Sequence, residues 1–217
     1  MHRTFGFLPI LCVCAGCAAG SSGALGQTQA SPECPPSDLV CAVAGIDAPI
    51  ARGATLPINV SVTSEGSAAP PLSFVSANPG VFTVDVDRIH GQGPGVASLL
   101  VTTTGDLVVD FLNVFVAEAE SMRLHRVGAS GLETSTLPPA MQMLVGDDLT
   151  LVLAPHAGAQ RLLGDVDATW NADTATVKLL DEGMPGSRRV IAASPGKTTL
   201  TAEALGITAQ VELEVVP

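Results

Sequence analysis

Apolar and polar residues alternate in short runs along most of the chain from residue 45 onward. Residues 56–62 and 81–86 alternate with period two, and residues 106–116 form a longer run of the same kind. Four later runs, LTLVLAP, ATVKLL, TTLTAEA and TAQVELEVV, have the same character. A period of two is typical of half-buried β-strands, because successive side chains point to opposite faces of a sheet. The pattern predicts an all-β fold.

Clusters of Gly, Pro, Asn and Asp separate these runs and predict turns between them. Short strands broken by regularly spaced turns are typical of an antiparallel β-sandwich. A parallel α/β sheet would need helical segments between the strands. We therefore expect sandwich architecture.

The chain also contains an internal repeat. The segment LSFVSANPGV aligns with ATWNADTATV, so that Phe74 and Trp170 each lie seven positions before a valine. Further on, PGVASL aligns with PGKTTL, which places Gly95 opposite Gly196. Each copy ends in an apolar strand, at Val116 or at Val216. Three matches in the same order indicate a duplicated unit.

These segments resemble the bacterial Ig-like domain group 2 family. TWNADTATV (169–177) and PGKTTLTA (195–202) match its aromatic motif and its Gly motif, whereas the first copy carries Phe74 in place of Trp. The resemblance implies two tandem Ig-like β-sandwich domains, which we place at 45–118 and 119–217. It concerns a fold and carries no catalytic motif, so it does not by itself imply a function.

Four residues are predicted to be structural. Two facing sheets need a bulky side chain between them, and Phe74 and Trp170 are the candidates for that position. Gly95 and Gly196 are expected at turns whose backbone excludes a Cβ. Replacing Trp170 with Ala is expected to cost about 3–5 kcal/mol.

The amino-terminal residues 1–16 have the features of a secretory signal peptide: Arg3, an apolar run and then small residues. Ala15-Gly16-Cys17 resembles the lipobox of bacterial lipoproteins, although Cys14 occupies the position where that family usually has Leu. The resemblance implies lipidation of Cys17. Cleavage at a later small residue remains the alternative and would give a periplasmic or secreted protein.

Residues 17–44 are predicted to form a lipid-anchored tether that includes a short disulfide loop. The Gly/Ser-rich stretch after Cys17 is typical of a flexible linker. Cys34 and Cys41 bracket CPPSDLVC, and two cysteines in an oxidising compartment favour a disulfide over a metal or redox role.

Charge excludes some functions. Ten Lys and Arg against 21 Asp and Glu give a net charge of −11, which repels phosphate backbones, so no nucleic-acid partner is expected. Nucleotide-binding and serine-hydrolase motifs are absent from the sequence, and we expect neither catalytic residues nor a cofactor. His90, close to Asp85 and Asp87 in the sequence, could join a catalytic site, but an exposed histidine at the end of a strand is the commoner case.

Metal binding has little support in the sequence. The histidines His90, His125 and His156 are scattered, and no metal ligands are assigned. Acidic pairs, among them Asp165 and Asp167, leave calcium between the domains as an open alternative, although their spacing matches no calcium loop.

Together these features predict a non-enzymatic lipoprotein of the bacterial cell envelope, with the outer membrane as its expected location. Its Ig-like modules would act as a spacer or protein-interaction scaffold. The expected partners are the membrane, through the N-terminal lipid, and an unidentified envelope or extracellular protein. The segment PLSFVSANPG and the loop before Arg188 and Arg189 are candidate contact surfaces. A surface adhesin or carbohydrate-binding module is one alternative, although exposed aromatic residues are not expected. An accessory subunit of an envelope complex is another.

Overall fold

The computed structural model of the chain describes residues 27–63, 71–181 and 183–217, apart from the side chain of Ser135. The predicted signal peptide (1–16) and Cys17 lie outside these described residues. Strands dominate, as the alternating pattern predicts, and the described helical segments are α1 (Leu39–Ala44) and a 3-10 turn (Gly45–Asp47). The all-β prediction is confirmed.

The strands fall into two groups along the chain. The first group is β1 (Gln27–Pro32), β2 (Ile50–Ala51), β3 (Thr55–Thr63), β4 (Leu72–Ser76), β5 (Phe82–Asp85), β6 (Arg88–Gly91), β7 (Gly95–Thr103) and β8 (Val108–Ala117). The second group is β9 (Ser121–Val127), β10 (Glu133–Thr136), β11 (Ala140–Leu144), β12 (Asp148–Ala157), β13 (Gln160–Arg161), β14 (Thr169–Asn171), β15 (Val177–Leu180), β16 (Ser187–Ala192), β17 (Gly196–Ala204) and β18 (Ile207–Val216).

Each group forms two sheets. In the first sandwich the sheets have the orders β1-β3-β6-β5 and β2-β8-β7-β4. In the second sandwich they have the orders β10-β9-β12-β16-β15, with β13 beside β12, and β11-β18-β17-β14. β2 pairs with β8 in parallel, and β11 pairs with β18 in parallel, so the two copies share strand order and direction. The structure therefore repeats the duplication read in the sequence.

The predicted tether boundary is wrong from residue 27 onward. β1 pairs with β3 over six residues, from Gln27 opposite Thr63 to Pro32 opposite Ile58, and so completes a sheet of the first sandwich. Its sequence, QTQASP, lacks apolar alternation because the strand lies at the edge of the sheet and its residues are exposed or half-buried. Hydrophobic periodicity therefore did not predict this strand.

Buried apolar side chains of both sandwiches form one continuous cluster. Phe74 and Trp170 pack against this cluster from its margin and are only half-buried. In the first sandwich the fully buried aromatic is Phe82, which the sequence analysis did not select. The two predicted aromatics therefore do not fill the centres of the cores.

The strand pairings show that the sequence alignment of the two copies is displaced by one residue at β5. Phe82 lies opposite Gly91, and Val177 lies opposite Ala192. Gly91 and Ala192 each precede the Pro-Gly glycine of their copy by four positions. Phe82 is therefore the counterpart of Val177, whereas the sequence alignment gave that place to Val81.

Gly95 and Gly196 contact equivalent positions in the two copies, but only one of them has the predicted backbone. Gly95 has φ +151°, and a Cβ there would lie 3.2 Å from Val81. The φ of Gly196 is negative or fully extended, and a Cβ would lie 3.0 Å from Thr176 Oγ1. For Gly196 the constraint is the neighbouring threonine, not its own backbone dihedral.

Candidate functional site at the junction of the two sandwiches

The two sandwiches meet through main-chain hydrogen bonds as well as through their shared core. Three residues connect β8 to β9. Across the junction, Ala51 N–H donates to Leu163 O at 2.9 Å, and Leu163 N–H donates to Pro49 O at 2.8 Å. Thr55 and Asp165 exchange two further bonds, of 3.1 and 2.7 Å. Such bonds fix both the spacing and the register of the two modules.

A glycine permits this close approach. Gly164 has φ +104°, and a Cβ at this position would lie 2.8 Å from the Cβ of Ala54 in the first sandwich. A larger residue would meet both backbone strain and a side chain of the facing module. The contact thus depends on glycine at position 164.

The disulfide loop (residues 34–41) is part of the junction. The predicted Cys34–Cys41 bond is confirmed. The bond closes the loop, and the Asp38 carboxylate accepts from Cys41 N–H at 2.9 Å as the N-cap of α1. Ser37 O accepts from Glu133 N–H of the second sandwich at 2.9 Å. The loop therefore docks onto the second module and does not extend into a linker.

A buried ion cluster joins the disulfide loop to β10 and β13. The Arg161 guanidinium contacts Asp38 at 2.8 Å and makes a two-point contact with Glu133. The side chains of Arg161, Asp38 and Glu133 are only 12%, 8% and 7% exposed. Burying these charges costs solvation energy, which the ion pairs of Arg161 with the two carboxylates offset. Loss of any one of the three side chains would therefore leave a buried charge without full compensation.

Two histidines stack beside this cluster. β9 and β12 are neighbours, which brings His125 and His156 together with ring centroids 5.6 Å apart and planes 11° from parallel. The expectation from the sequence that the histidines are scattered is wrong for this pair. The Nδ1 atoms lie 3.1 Å from Thr134 O and Ala154 O respectively, and because a carbonyl only accepts, each Nδ1 carries the proton.

Burial changes the acid–base behaviour of two junction residues. Burial away from water lowers the pKa of His156, and the positive charge of Arg123 lowers it further. The hydrogen bond to Ala154 O acts in the opposite direction and raises this pKa. Loss of water also raises the pKa of Asp165, which Arg88 opposes. At neutral pH the stacked His156 ring is therefore uncharged.

The cavities here are small or open. One of about 40 Å³ lies between the modules beside Asp38, Arg161 and Asp165 and has room for about one or two water molecules. A second, of about 280 Å³, lies over the histidine pair and is walled by Leu39 and Val40 of α1. In the described part of the chain, no group of three His, Cys, Asp or Glu side chains is placed to hold a metal ion.

The remaining predicted site residues are dispersed. His90 Nδ1 lies 3.0 Å from Thr55 Oγ1 within the first sandwich. Arg189 pairs with Asp148, so this arginine is engaged within the second module. The predicted contact loop PLSFVSANPG is in part a strand, β4, because its residues pair with β7. Within residues 27–63, 71–181 and 183–217, no helix is long and apolar enough to cross a membrane.

Comparison with solved structures returns low similarity. Domains 4 and 5 of the S-layer protein SbsC are 18% identical over 72% of this chain and 86% of that one, with a TM-score of 0.33. The Yersinia pseudotuberculosis adhesin InvE is 15% identical over 93% of this chain and 62% of that one, with a TM-score of 0.34. A longer SbsC chain is matched over 23% of its length. No protein-family model and no curated protein matches the chain.

Proposed function

We propose that this chain is a non-enzymatic module of the bacterial cell envelope that acts as a rigid spacer and protein-interaction scaffold. The observation that supports this proposal is the junction: four main-chain hydrogen bonds, a buried ion cluster and one continuous core link the two sandwiches. Modules joined in this way hold a fixed relative orientation, which is what a spacer needs. From the sequence resemblance, we also propose that both modules are Ig-like domains of the bacterial group 2 family.

The scaffold would be attached to the outer membrane through lipid on Cys17. The support for this step is the signal-like segment 1–16 and the small residues before Cys17. Several acyl chains, at about 0.8 kcal/mol per buried methylene, suffice to anchor a protein firmly. Intact-mass analysis of the mature N-terminal peptide tests this: a diacylglyceryl-modified Cys17 is expected. An unmodified N-terminus at a later residue would make the protein periplasmic or secreted.

Small-angle X-ray scattering tests the rigid spacer. We expect the scattering of the purified chain to fit one fixed arrangement of the two sandwiches. The control combines a flexible Gly/Ser insertion after Glu118, between β8 and β9, with Arg161→Met and Gly164→Leu, which disrupt the contacts across the junction, and its scattering should require an ensemble of arrangements. If the purified chain without these changes already requires such an ensemble, the spacer proposal fails, whether or not Cys17 carries lipid.

The adhesin alternative gains one observation in its favour. Exposed aromatic residues are not expected from the sequence, but Phe111 and Phe115 are 42% and 36% exposed. Both lie on a sheet face where they can contact another macromolecule. This favours protein contact as the second role of the scaffold.

A further inference from the structure

The cavity over the histidine pair is lined by two side chains that each leave a buried polar atom without a hydrogen bond. We call this space of about 280 Å³, between α1 and the strands β9, β10, β12 and β13, the histidine cavity. His125 and Arg161 both line it. Within the described part of the chain, neither His125 Nε2 nor Arg161 Nε has a hydrogen-bond partner, although both atoms are buried. Such atoms are costly unless another group satisfies them.

The two atoms have opposite hydrogen-bonding roles. Nδ1 of His125 carries the proton because it lies 3.1 Å from Thr134 O, which leaves Nε2 as an acceptor. Arg161 contacts Asp38 and Glu133 through its two terminal nitrogens, so its Nε–H remains as a donor. A hydroxyl group can donate to the first atom and accept from the second. A hydroxyl is therefore the group that complements this pair.

The charges around the histidine cavity favour a neutral ligand. Asp38 and Glu133 bring two negative charges against the single positive charge of Arg161. A carboxylate or phosphate would be repelled, and it has no proton to donate to His125 Nε2. A cationic ligand would meet the Arg161 Nε–H, and both carboxylates are already paired with this arginine.

The walls and the size of the cavity favour an organic molecule over a single water. Leu39 and Val40 of α1 line the cavity although they are 51% and 47% exposed, and Ala159 adds a third apolar side chain. One water occupies about 30 Å³, so the cavity also has room for an apolar body. Ligand pockets usually have volumes of about 300–1,000 Å³, which indicates a small ligand here.

We propose that the histidine cavity binds a small neutral molecule that carries a hydroxyl group on an apolar body. The hydroxyl donates to His125 Nε2 and accepts from Arg161 Nε–H, and the apolar body covers Leu39 and Val40. The disulfide and the N-cap of α1 hold this wall in place before the ligand arrives. A wall formed in advance lowers the entropic cost of binding.

An NMR titration with phenol as the probe tests the proposal. The protein is the full chain carrying Cys17→Ser, so that neither lipid nor detergent takes up the probe. We expect a dissociation constant of about 0.1–1 mM, as is reasonable for so small a ligand. The nitrogen resonance of His125 Nε2 should shift as phenol binds, because its lone pair then accepts a hydrogen bond.

Two other probes separate the hydroxyl from the apolar body. Toluene has nearly the shape of phenol without a hydroxyl, and anisole has an oxygen that accepts but does not donate. Both should bind at least about tenfold more weakly than phenol, because they leave His125 Nε2 without a partner.

A histidine variant tests the acceptor atom. His125→Asn removes Nε2 but keeps a side-chain N–H that can donate to Thr134 O, and it should weaken phenol binding at least about tenfold. His90→Asn is the matched control, because His90 lies in the first sandwich beside Thr55 Oγ1, and this variant should bind phenol as the parent chain does.

Two variants of α1 test the apolar wall. Val40→Ser should weaken phenol binding about threefold, because it removes apolar surface from the cavity. Val43→Ser changes the same helix at a position that is 85% exposed and outside the cavity, and it should leave binding unchanged. Circular dichroism establishes that each variant is folded.

Three results would overturn the proposal. They are no binding of phenol up to about 10 mM, binding of toluene or anisole as tight as that of phenol, and unchanged phenol binding by His125→Asn. The first result would assign the two buried polar atoms to water only. None of these results bears on the spacer or the lipid anchor, because neither depends on an occupant of the histidine cavity.

Discussion

Breaking the Arg161 cluster is expected to destabilise the protein strongly. Arg161→Met removes the positive charge that holds Asp38 and Glu133, and both carboxylates stay more than nine-tenths buried. Removing one partner of a buried ion pair typically costs about 3–5 kcal/mol, because an uncompensated charge remains out of water. That loss is a large share of the roughly 5–15 kcal/mol that stabilises a typical folded domain.

Urea unfolding measures this loss. Trp170 is the chain's single Trp and lies in the second sandwich, so its fluorescence reports that module, while circular dichroism follows both. Arg52→Met is the matched control, because Arg52 pairs with Glu118 close to the junction and both side chains are more than half exposed. An exposed pair of this kind is worth at most about 1 kcal/mol.

A third variant separates charge from packing. In Asp38→Asn/Glu133→Gln/Arg161→Met all three charges are removed, so most of the stability lost in Arg161→Met should return. Asn at position 38 still caps α1. If Arg161→Met costs no more than Arg52→Met, the cluster does not hold the junction and the reasoning is refuted.

Three other predictions concern the cores and the titrating groups. Phe82→Ala should lower the free energy of unfolding by about 3–5 kcal/mol and Phe74→Ala by clearly less, because Phe82 is fully buried and Phe74 is half-buried. Thermal unfolding measures both losses, and a larger loss for Phe74→Ala would contradict this prediction. The lowered pKa of His156 means that the unfolded chain binds the proton more readily, so stability should fall as pH drops from 6.5 towards the folded value. His156→Gln should flatten that pH dependence in urea titrations, and an unchanged slope would assign it to other groups. A hydrogen bond from Arg189 lowers the pKa of Asp148, so in Arg189→Met the pKa of Asp148, followed by NMR, should rise towards 3.8.

Periodicity predicted the strands that are half-buried. The runs at 56–62, 106–116 and 208–216 became β3, β8 and β18, because one face of each strand packs on the core and the other faces solvent. The sequence did not predict β1, because none of its residues is fully buried and its side chains therefore need not alternate between apolar and polar. Pattern analysis detects burial, and an edge strand of this kind shows little of it.

The junction could be predicted only in part. Spacing identified Cys34–Cys41, but not that the loop closed by this bond docks on Glu133, 96 residues from Ser37. Such a contact depends on how two modules are oriented, and no local pattern encodes that orientation. A signal for Arg161 did exist: it is one of only ten basic residues among 21 acidic ones. The His125–His156 stack likewise depends on the register of β9 against β12.

The direction of β1 has a mechanical consequence. Its Gln27 end pairs with Thr63, far along β3 from the junction residue Thr55. β18 starts near the junction, because Leu205 just before it packs against Gly53 of the first sandwich, and it runs outward to Val216. Tension between these two ends would act along the strands. Hydrogen bonds of an antiparallel pair lie across that direction, so they would be sheared together instead of peeled one by one. A chain pulled from a membrane at one end and a bound partner at the other would resist extension in both sandwiches.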